Sequence, residues 1–337
     1  MSTEIFEQTF QVTEPARLKL SNVRGSVEIQ AGEPGKIHVH ATKHNGSGKQ
    51  TTVEMSQEQD GSVVVETREA EGWRLFGLSS PAKVEYKVRV PPACNLSVSC
   101  VSSSLSVRGV SGECTLKTVS GGMELEQLTG PFKINSVSGD IHGVGLSGIV
   151  ELDTVSGDFH LSESNLSSVR GSTVSGNLFL QTGLGEGPYK ISSVSGDVYF
   201  FVPAETACTV ELRAVSGKIT STLPLTAHTR RGGSSTAVVQ GGGVTIKLSS
   251  VSGDLWIGQA GEEPGKAGAE AAMPPTPPEP PIPPAHPAPP VPPVHPVPPA
   301  PPAPPTSQPE RLTTAEILAM VERGELSVDE AIHRMQG

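Results

Sequence analysis

The sequence predicts an all-β protein built around a β-solenoid, a stack of short coils that share one hydrophobic core. A V-S-G motif recurs along the middle of the chain, with its valines at positions 119, 137, 155, 174, 194, 215 and 251. The composition, 37 glycines and 31 prolines with only 4% aromatic residues, favours short strands and tight turns over helices. Repeat units of this size cannot bury an apolar face alone, so they are expected to stack.

Each predicted coil is 18–21 residues long and contains two short strands, with the consensus aliphatic-x-x-V-S-G-D-aliphatic. Alternation counted from the valine places Val137, Gly139 and Ile141 on one face of the strand, and Ser138, Asp140 and His142 on the other. The last interval, 36 residues, is interpreted as two coils with one motif lost. Because glycine permits a bend or a close backbone approach, the repeat turns are assigned to Gly121, Gly139, Asp140, Gly157, Asp158, Gly176, Asn177, Gly196, Asp197, Gly217, Gly253 and Asp254.

The chain is divided into four parts. Residues 1–95 contain alternating runs such as KIHVHA and KVEYKVRV and are predicted to form a β cap on the solenoid of residues 96–259. Residues 260–310 form a linker whose tract from Pro274 to Pro309 holds 21 of the 31 prolines, so a polyproline II conformation is expected. The tract offers P-x-x-P registers for an aromatic-lined groove, and a plain spacer is the alternative.

Residues 311–337 are predicted to form two short helices. Thr313 with Glu316 and Ser327 with Glu330 fit capping boxes, and Gly324 fits the end of the first helix. Such a short segment cannot sustain a core, so the hairpin is expected to self-associate, dock on the solenoid or bind another protein. Its apolar interaction face is assigned to Leu312, Ile317, Met320, Val321, Leu326, Ile332 and Met335.

Charge and targeting signals limit the function classes. A net charge of −10 without any run of Lys or Arg argues against a nucleic-acid partner and against a basic membrane-binding patch. With neither a signal peptide nor an apolar stretch long enough to span a membrane, we expect a cytoplasmic location, at most peripheral to a membrane. The cysteines lack C-x-x-C spacing and are expected to be reduced and partly buried: Cys94, Cys100, Cys114 and Cys208.

Two repeated polar rows are candidate binding features. The acidic row formed by the last motif position either binds calcium or caps its own turns, and Asn177 and Lys218 interrupt it. The hydroxyl residues on both sides of each valine either bind a glycan from two outward rows or stabilise the stack. No G-x-S-x-G, P-loop or H-E-x-x-H motif occurs, so we expect no enzyme activity and no cofactor.

The NVRGSVEI segment, the VPPACNLSVSC and VPAETACTVEL stretches and the VSGD copies resemble a bacterial adhesin-like β-strand-repeat family, a domain of unknown function, over roughly residues 5–258. The tail, with ILAMVERGELSVDEAI, resembles the SHOCT-like helical segment fused to such proteins. The resemblance implies a β-helical fold, no assigned catalytic residue and, for some relatives, a link to cell-envelope stress.

These observations predict a non-enzymatic scaffold or interaction protein. A rigid solenoid would display a surface, and the linker would carry a hairpin that makes homo-oligomers or docks on a protein partner, including a membrane protein. Two alternatives stay open: an adhesin-like glycan binder and a polymerising cytoskeletal scaffold.

Overall fold

The computed structural model describes residues 3–44, 51–69, 82–259 and 262. All regular structure in these residues is β-strand, in one continuous hydrogen-bonded sheet of 22 strands. The predicted all-β class is therefore confirmed. Both the linker and the helical tail lie outside the described residues, where they stay predictions.

In the part of the chain that the structure describes, six strands precede the regular repeat. They are β1 (Thr3–Gln11), β2 (Ala16–Ala31), β3 (Lys36–His44), β4 (Thr51–Gln57), β5 (Val63–Glu69) and β6 (Lys83–Val90). The strand β2 already belongs to the parallel stack, because it pairs with the first strand of the repeat from Ala16↔Cys94 to Gln30↔Arg108. Among the described residues of this region, the pairings β1–β3, β3–β6 and β4–β5 are antiparallel and the others are parallel.

The regular repeat contains ten strands. They are β7 (Cys94–Arg108), β8 (Cys114–Ser120), β9 (Met123–Glu126), β10 (Thr129–Ser138), β11 (Ile141–Val144), β12 (Ser147–Ser156), β13 (Phe159–Ser175), β14 (Leu178–Leu184), β15 (Tyr189–Ser195) and β16 (Val198–Val202). Equivalent positions of successive coils pair in parallel, as Ile134 does with Leu116 on one side and Leu152 on the other. This in-register parallel stacking is the solenoid arrangement that the repeat predicts.

The last six strands are β17 (Cys208–Ser216), β18 (Ile219–Ser221), β19 (Leu225–Arg231), β20 (Ser234–Val239), β21 (Val244–Ser252) and β22 (Leu255–Gln259). Their stacking order differs from their order in the chain. The coil β21–β22 lies between β15–β16 and β17–β18, and the antiparallel hairpin β19–β20 pairs with the outer side of β17. The interpretation of the 36-residue interval as two coils with a lost motif is therefore wrong: it contains a hairpin and a returning strand.

The pairings follow two ribbons that enclose one core. Ribbon A runs β4–β5–β2–β7–β8–β10–β12–β13–β15–β21–β17–β20–β19, and ribbon B runs β1–β3–β6–β2–β7–β9–β11–β13–β14–β16–β22–β18. The long strands β2, β7 and β13 contribute to both. Inward side chains of both ribbons, such as Leu116 and Ile134 in A and Met123 and Ile141 in B, form a single buried cluster.

A row of glycines marks the corner between the ribbons. Gly139 has φ +128° and Gly157 has φ +113°, a region that other residues rarely adopt. A methyl group on Gly157 would lie 2.5 Å from the carbonyl oxygen of Gly139. The same contact with the neighbouring coil recurs at Gly121, Gly139, Gly176, Gly196, Gly253 and Gly217. The motif glycine is therefore required by the close approach of one coil's backbone to the next.

Candidate functional site: outward rows beside the glycine corner

The motif valines form a row that changes from buried to exposed along the stack. Val119 and Val137 are 0% and 1% exposed, whereas Val174 and Val194 are 46% and 49% exposed. The row continues with Val251 and Val215, which are 53% and 86% exposed. The expectation that each valine shares a face with the buried aliphatic residue four positions later is therefore wrong for the C-terminal coils.

Strand alternation explains the outward valines. Ile191 is buried, and alternation from it places Ser193 inward and Val194 outward. The bend comes after the valine, since Gly196 has φ +138° and Val198 is again buried. The inward and outward directions of side chains before the bend are therefore counted from the buried aliphatic residue three positions before the valine, here Ile191. We call the four exposed side chains, Val174, Val194, Val251 and Val215, the valine row.

The hydroxyl residues on the two sides of the valine do not form the two outward rows that the glycan-binding alternative requires. The residues before the valine are buried: Thr118, Ser136, Thr154, Thr173 and Ser193. The residues after it are exposed in the C-terminal coils: Ser156, Ser175, Ser195 and Ser252. Of the two hydroxyl rows that flank the valine, only the one after it is therefore available to a ligand.

The acidic row is held by a chain of hydrogen bonds between coils. The backbone N–H of Asp158 donates to Asp140 Oδ1 at 3.0 Å, and that of Asn177 donates to Asp158 Oδ1 at 2.7 Å. Each acid thus caps the next coil rather than its own turn, which corrects the sequence interpretation. The series continues with Asp197 N to Asn177 Oδ1, Asp254 N to Asp197 Oδ1 and Lys218 N to Asp254 Oδ1.

The two interruptions of the acidic row fit this role. Asn177 supplies an amide carbonyl oxygen in the place where an aspartate would supply a carboxylate oxygen. Lys218 stands at the last rung of the row, where its Nζ lies 3.9 Å from Asp254 Oδ2. One oxygen of each capping side chain is already occupied by a backbone N–H. In the described residues, no group of three or more His, Cys, Asp or Glu side chains is placed to hold a metal ion. The geometry therefore gives the calcium alternative no support.

An aromatic row runs along the outer surface of ribbon B, and the sequence interpretation missed it. Its rings stack on successive strands: His142 and His160 at 5.1 Å between centroids, His160 and Phe179 at 4.4 Å, and Phe179 and Tyr199 at 4.7 Å. Trp256 follows at 6.4 Å from Tyr199. The signal was present in the sequence, because these five rings occupy the same repeat position, five residues after the motif valine.

The orientation of these rings determines what they can bind. The first four rings are within 13° of parallel, so each ring face is covered by its neighbour and the ring edges point outward. A sugar packs on a ring face, whereas ring edges carry partial positive charge that attracts carbonyl oxygens. The aromatic row is therefore an apolar ridge suited to a peptide backbone better than to a sugar ring.

Neutral forms of the ring groups are favoured. Burial, and then the neighbouring His142, lower the pKa of His160 below its ordinary value. Burial and the nearby Asp197 raise the pKa of Tyr199 to about 12, and the Tyr199 hydroxyl donates to Asp197 Oδ2 at 3.1 Å. The indole N–H of Trp256 is buried and has no hydrogen-bond partner among the described residues.

Toward the N-terminus the same outward row is charged. The register places His40 opposite Lys87 and Lys87 opposite Glu28. An open depression of about 400 Å³ is lined there by Glu28, Gln30, His38, His40, Lys87, Val88 and Arg89. Ribbon B thus carries charged groups at its N-terminal end and aromatic rings at its C-terminal end.

All four cysteines are free and buried in the core. Burial raises the pKa of the Cys94, Cys100 and Cys114 thiols to about 12 and that of Cys208 to about 11. Nucleophilic and redox reactions require the thiolate, so these groups are chemically quiet in the folded protein.

Comparisons place these features in a family. Solved structures with low sequence identity include a "putative adhesin" from Bacteroides fragilis (11% identity, 76% of this chain and 97% of that chain, TM-score 0.40). A second "putative adhesin", from Parabacteroides merdae, gives 10% identity, 75% and 96% coverage and a TM-score of 0.38. A "putative lipid binding protein" from Parabacteroides distasonis has 10% sequence identity and a TM-score of 0.31, and the match covers 75% of this chain and 96% of that chain.

No curated protein matches the chain. Across the described residues, no helix has the length and hydrophobicity required to cross a membrane. The model of the Toastrack family, DUF4097, matches residues 16–257, which include the N-terminal coil β2, the whole V-S-G-D repeat and the returning strand β21. The chain therefore belongs to the Toastrack DUF4097 family.

Proposed function

We propose that this protein is a non-enzymatic interaction protein. The solenoid is a rigid display surface, and the linker of residues 260–310 joins it to the hairpin of residues 311–337, which self-associates or docks on a protein partner. The protein works in the cytoplasm or at the membrane periphery, in the response to cell-envelope stress. The family match supports the solenoid part of this proposal, and the SHOCT-like resemblance motivates the tail.

The valine row is the observation that carries the proposal. Its four side chains are between 46% and 86% exposed and lie on neighbouring strands, which are about 4.8 Å apart. Single exposed apolar residues are ordinary, but an aligned strip of them indicates a contact surface. The apolar face predicted for the tail, including Ile317 and Val321, has the complementary chemistry.

A glycan-binding function is the second candidate. The exposed row of Ser156, Ser175, Ser195 and Ser252 favours it, since aligned hydroxyls can bond to a polysaccharide. The covered ring faces of the aromatic row count against it. A polymerising scaffold is disfavoured, because antiparallel strands flank the parallel stack at both ends of ribbon A.

The proposal is tested by light scattering on the full-length chain and on the variant Ile317→Ser/Val321→Ser. We expect the parent to exceed the monomer mass of 35.1 kDa and the variant to return to it. A parent that stays at the monomer mass over a wide concentration range contradicts self-association. For the docking alternative, the tail is used as bait in a pull-down, once with a solenoid that carries the valine row and once with a solenoid in which the row is substituted. If retention on the tail does not depend on the row, the docking alternative is overturned as well.

A further inference from the structure

The Pro-rich tract has a period that matches the spacing of the aromatic row. From Pro274 to Thr306 the sequence consists of eleven consecutive triplets of the form P-P-x, with His286 and His295 as the only replacements of a first proline. A polyproline II helix has three residues per turn and rises about 3.1 Å per residue, so one triplet spans about 9.3 Å. Two neighbouring strand spacings are about 9.4–9.8 Å. One turn of the tract therefore spans two rungs of ribbon B.

The position of the tract in the chain brings it within reach of the row. The described chain leaves the solenoid at β22, the strand that carries Trp256, the terminal ring of the row. Beyond this strand the Glu262 carboxylate accepts hydrogen bonds from the Gln259 backbone N–H and the Thr222 hydroxyl. The eleven residues 263–273 can extend by at most about 40 Å, whereas the five rungs span only about 19 Å. The tract can thus return along the row from the end at which it leaves.

The chemistry of the two partners also fits. Proline has no N–H, and a polyproline II backbone forms no internal hydrogen bonds, so its carbonyl oxygens need donors. The row offers ring edges with partial positive charge, such as those of the stacked Phe179 and Tyr199. Aromatic surfaces that bind polyproline II segments are a recurring recognition mode, and the preformed helix loses little entropy on binding.

We propose that two consecutive triplets of the P-P-x tract (residues 274–306) dock on the aromatic row of the chain's own solenoid, in register with alternate rungs, since two triplets are about as long as the five rungs. A partner with its own polyproline-binding groove would compete with the row for the tract. The inference does not depend on the valine row, which lies on ribbon A, whereas the aromatic row lies on ribbon B. The docking of the tract and the proposed function can therefore fail separately.

The test is hydroxyl-radical footprinting of the intact full-length chain, read at Phe179, Tyr199 and His160, with Phe6 on β1 as an internal reference. Three chains are compared: the parent, a chain whose tract has the same composition in shuffled order, and a chain with a Gly-Ser linker of equal length. The solenoid sequence is unchanged in all three, so folding is not at risk.

We expect the row to be oxidised several times more slowly in the parent than in either altered chain, at every protein concentration. Equal rates in all three chains overturn docking. Equal protection in the parent and the shuffled chain overturns the match of periods, because composition alone then suffices. Protection that is lost on dilution overturns docking within one chain and indicates a second copy as the source of the tract.

Discussion

The glycine corner and the motif valines lie two residues apart in the same motif, yet they follow different constraints. Every coil from Gly121 to Gly217 keeps glycine at the corner, since the backbone of the next coil leaves no room for a side chain. The motif valines keep their residue type but change from buried at Val137 to half-exposed at Val194. Copies of one motif thus combine positions whose residue type is fixed by backbone packing with positions whose side chains are free to form a contact surface.

The largest effect is expected where the backbone packing is closest. Gly157→Ala should lower the free energy of unfolding by about 3 kcal/mol or more, because it adds overlap with the Gly139 carbonyl to the strain of a positive φ. Gly232→Ala is the matched control: its φ is +58°, but nothing lies within 4 Å of an added methyl group, so roughly 1 kcal/mol is expected. Urea unfolding measures both, and equal losses would contradict the role assigned to the corner.

A smaller effect is expected in the acidic row. Asp158→Ala removes the acceptor of the Asn177 backbone N–H and should cost about 1–2 kcal/mol, since that donor is partly buried. Asp158→Asn keeps an acceptor oxygen of the kind that Asn177 already supplies, so a change within about 0.5 kcal/mol is expected. If Asn is as harmful as Ala in thermal or urea unfolding, charge matters more than capping and calcium binding should be re-examined.

The third prediction concerns pH. The folded state holds the pKa of His160 below its ordinary value of 6.5, chiefly through burial and then through His142, with Asp158 and Asp140 acting in the opposite direction. As pH falls below 6.5 the unfolded chain takes up the proton first, so the free energy of unfolding should decrease toward the folded pKa. His160→Phe should make this decrease shallower in urea titrations between pH 8 and 5.

Tyr199→Phe is the control for the pH experiment. It changes a ring in the same row, but the Tyr199 hydroxyl, whose pKa is about 12, does not titrate in this range. The control should retain the pH slope of the parent. A His160→Phe slope identical to that of the parent would show that other groups cause the decrease.

Much of the fold was predictable because the repeat fixes the local geometry. The V-S-G-D spacing predicts coil length, the corner glycines and an all-β stack, and the pairing of Ile134 with Leu116 and Leu152 follows directly from the repeat. The direction of the valine was not predictable from the motif alone, because the bend after Val194 shifts the alternation by one residue.

Two further features depend on long-range packing. The placement of β21 between β15 and β17 requires the chain to return after the hairpin β19–β20, and a linear repeat contains no signal of stacking order. The residues of the aromatic row occupy the same repeat position in the sequence. His142 and Trp256 differ so much in residue type, however, that the sequence does not identify them as members of one surface feature. Only the stacked geometry shows that these rings form one ridge.

The most direct test of the account is a paired measurement on the full-length variant Val194→Thr/Val251→Thr. Threonine preserves strand propensity, so the free energy of unfolding should stay within about 0.5 kcal/mol of the parent while association or tail binding is lost. Ile149→Thr, at a side chain that is also 49% exposed but lies on ribbon A outside the row, should change neither quantity. A marked loss of stability with association intact would place these valines in the core and contradict the surface role.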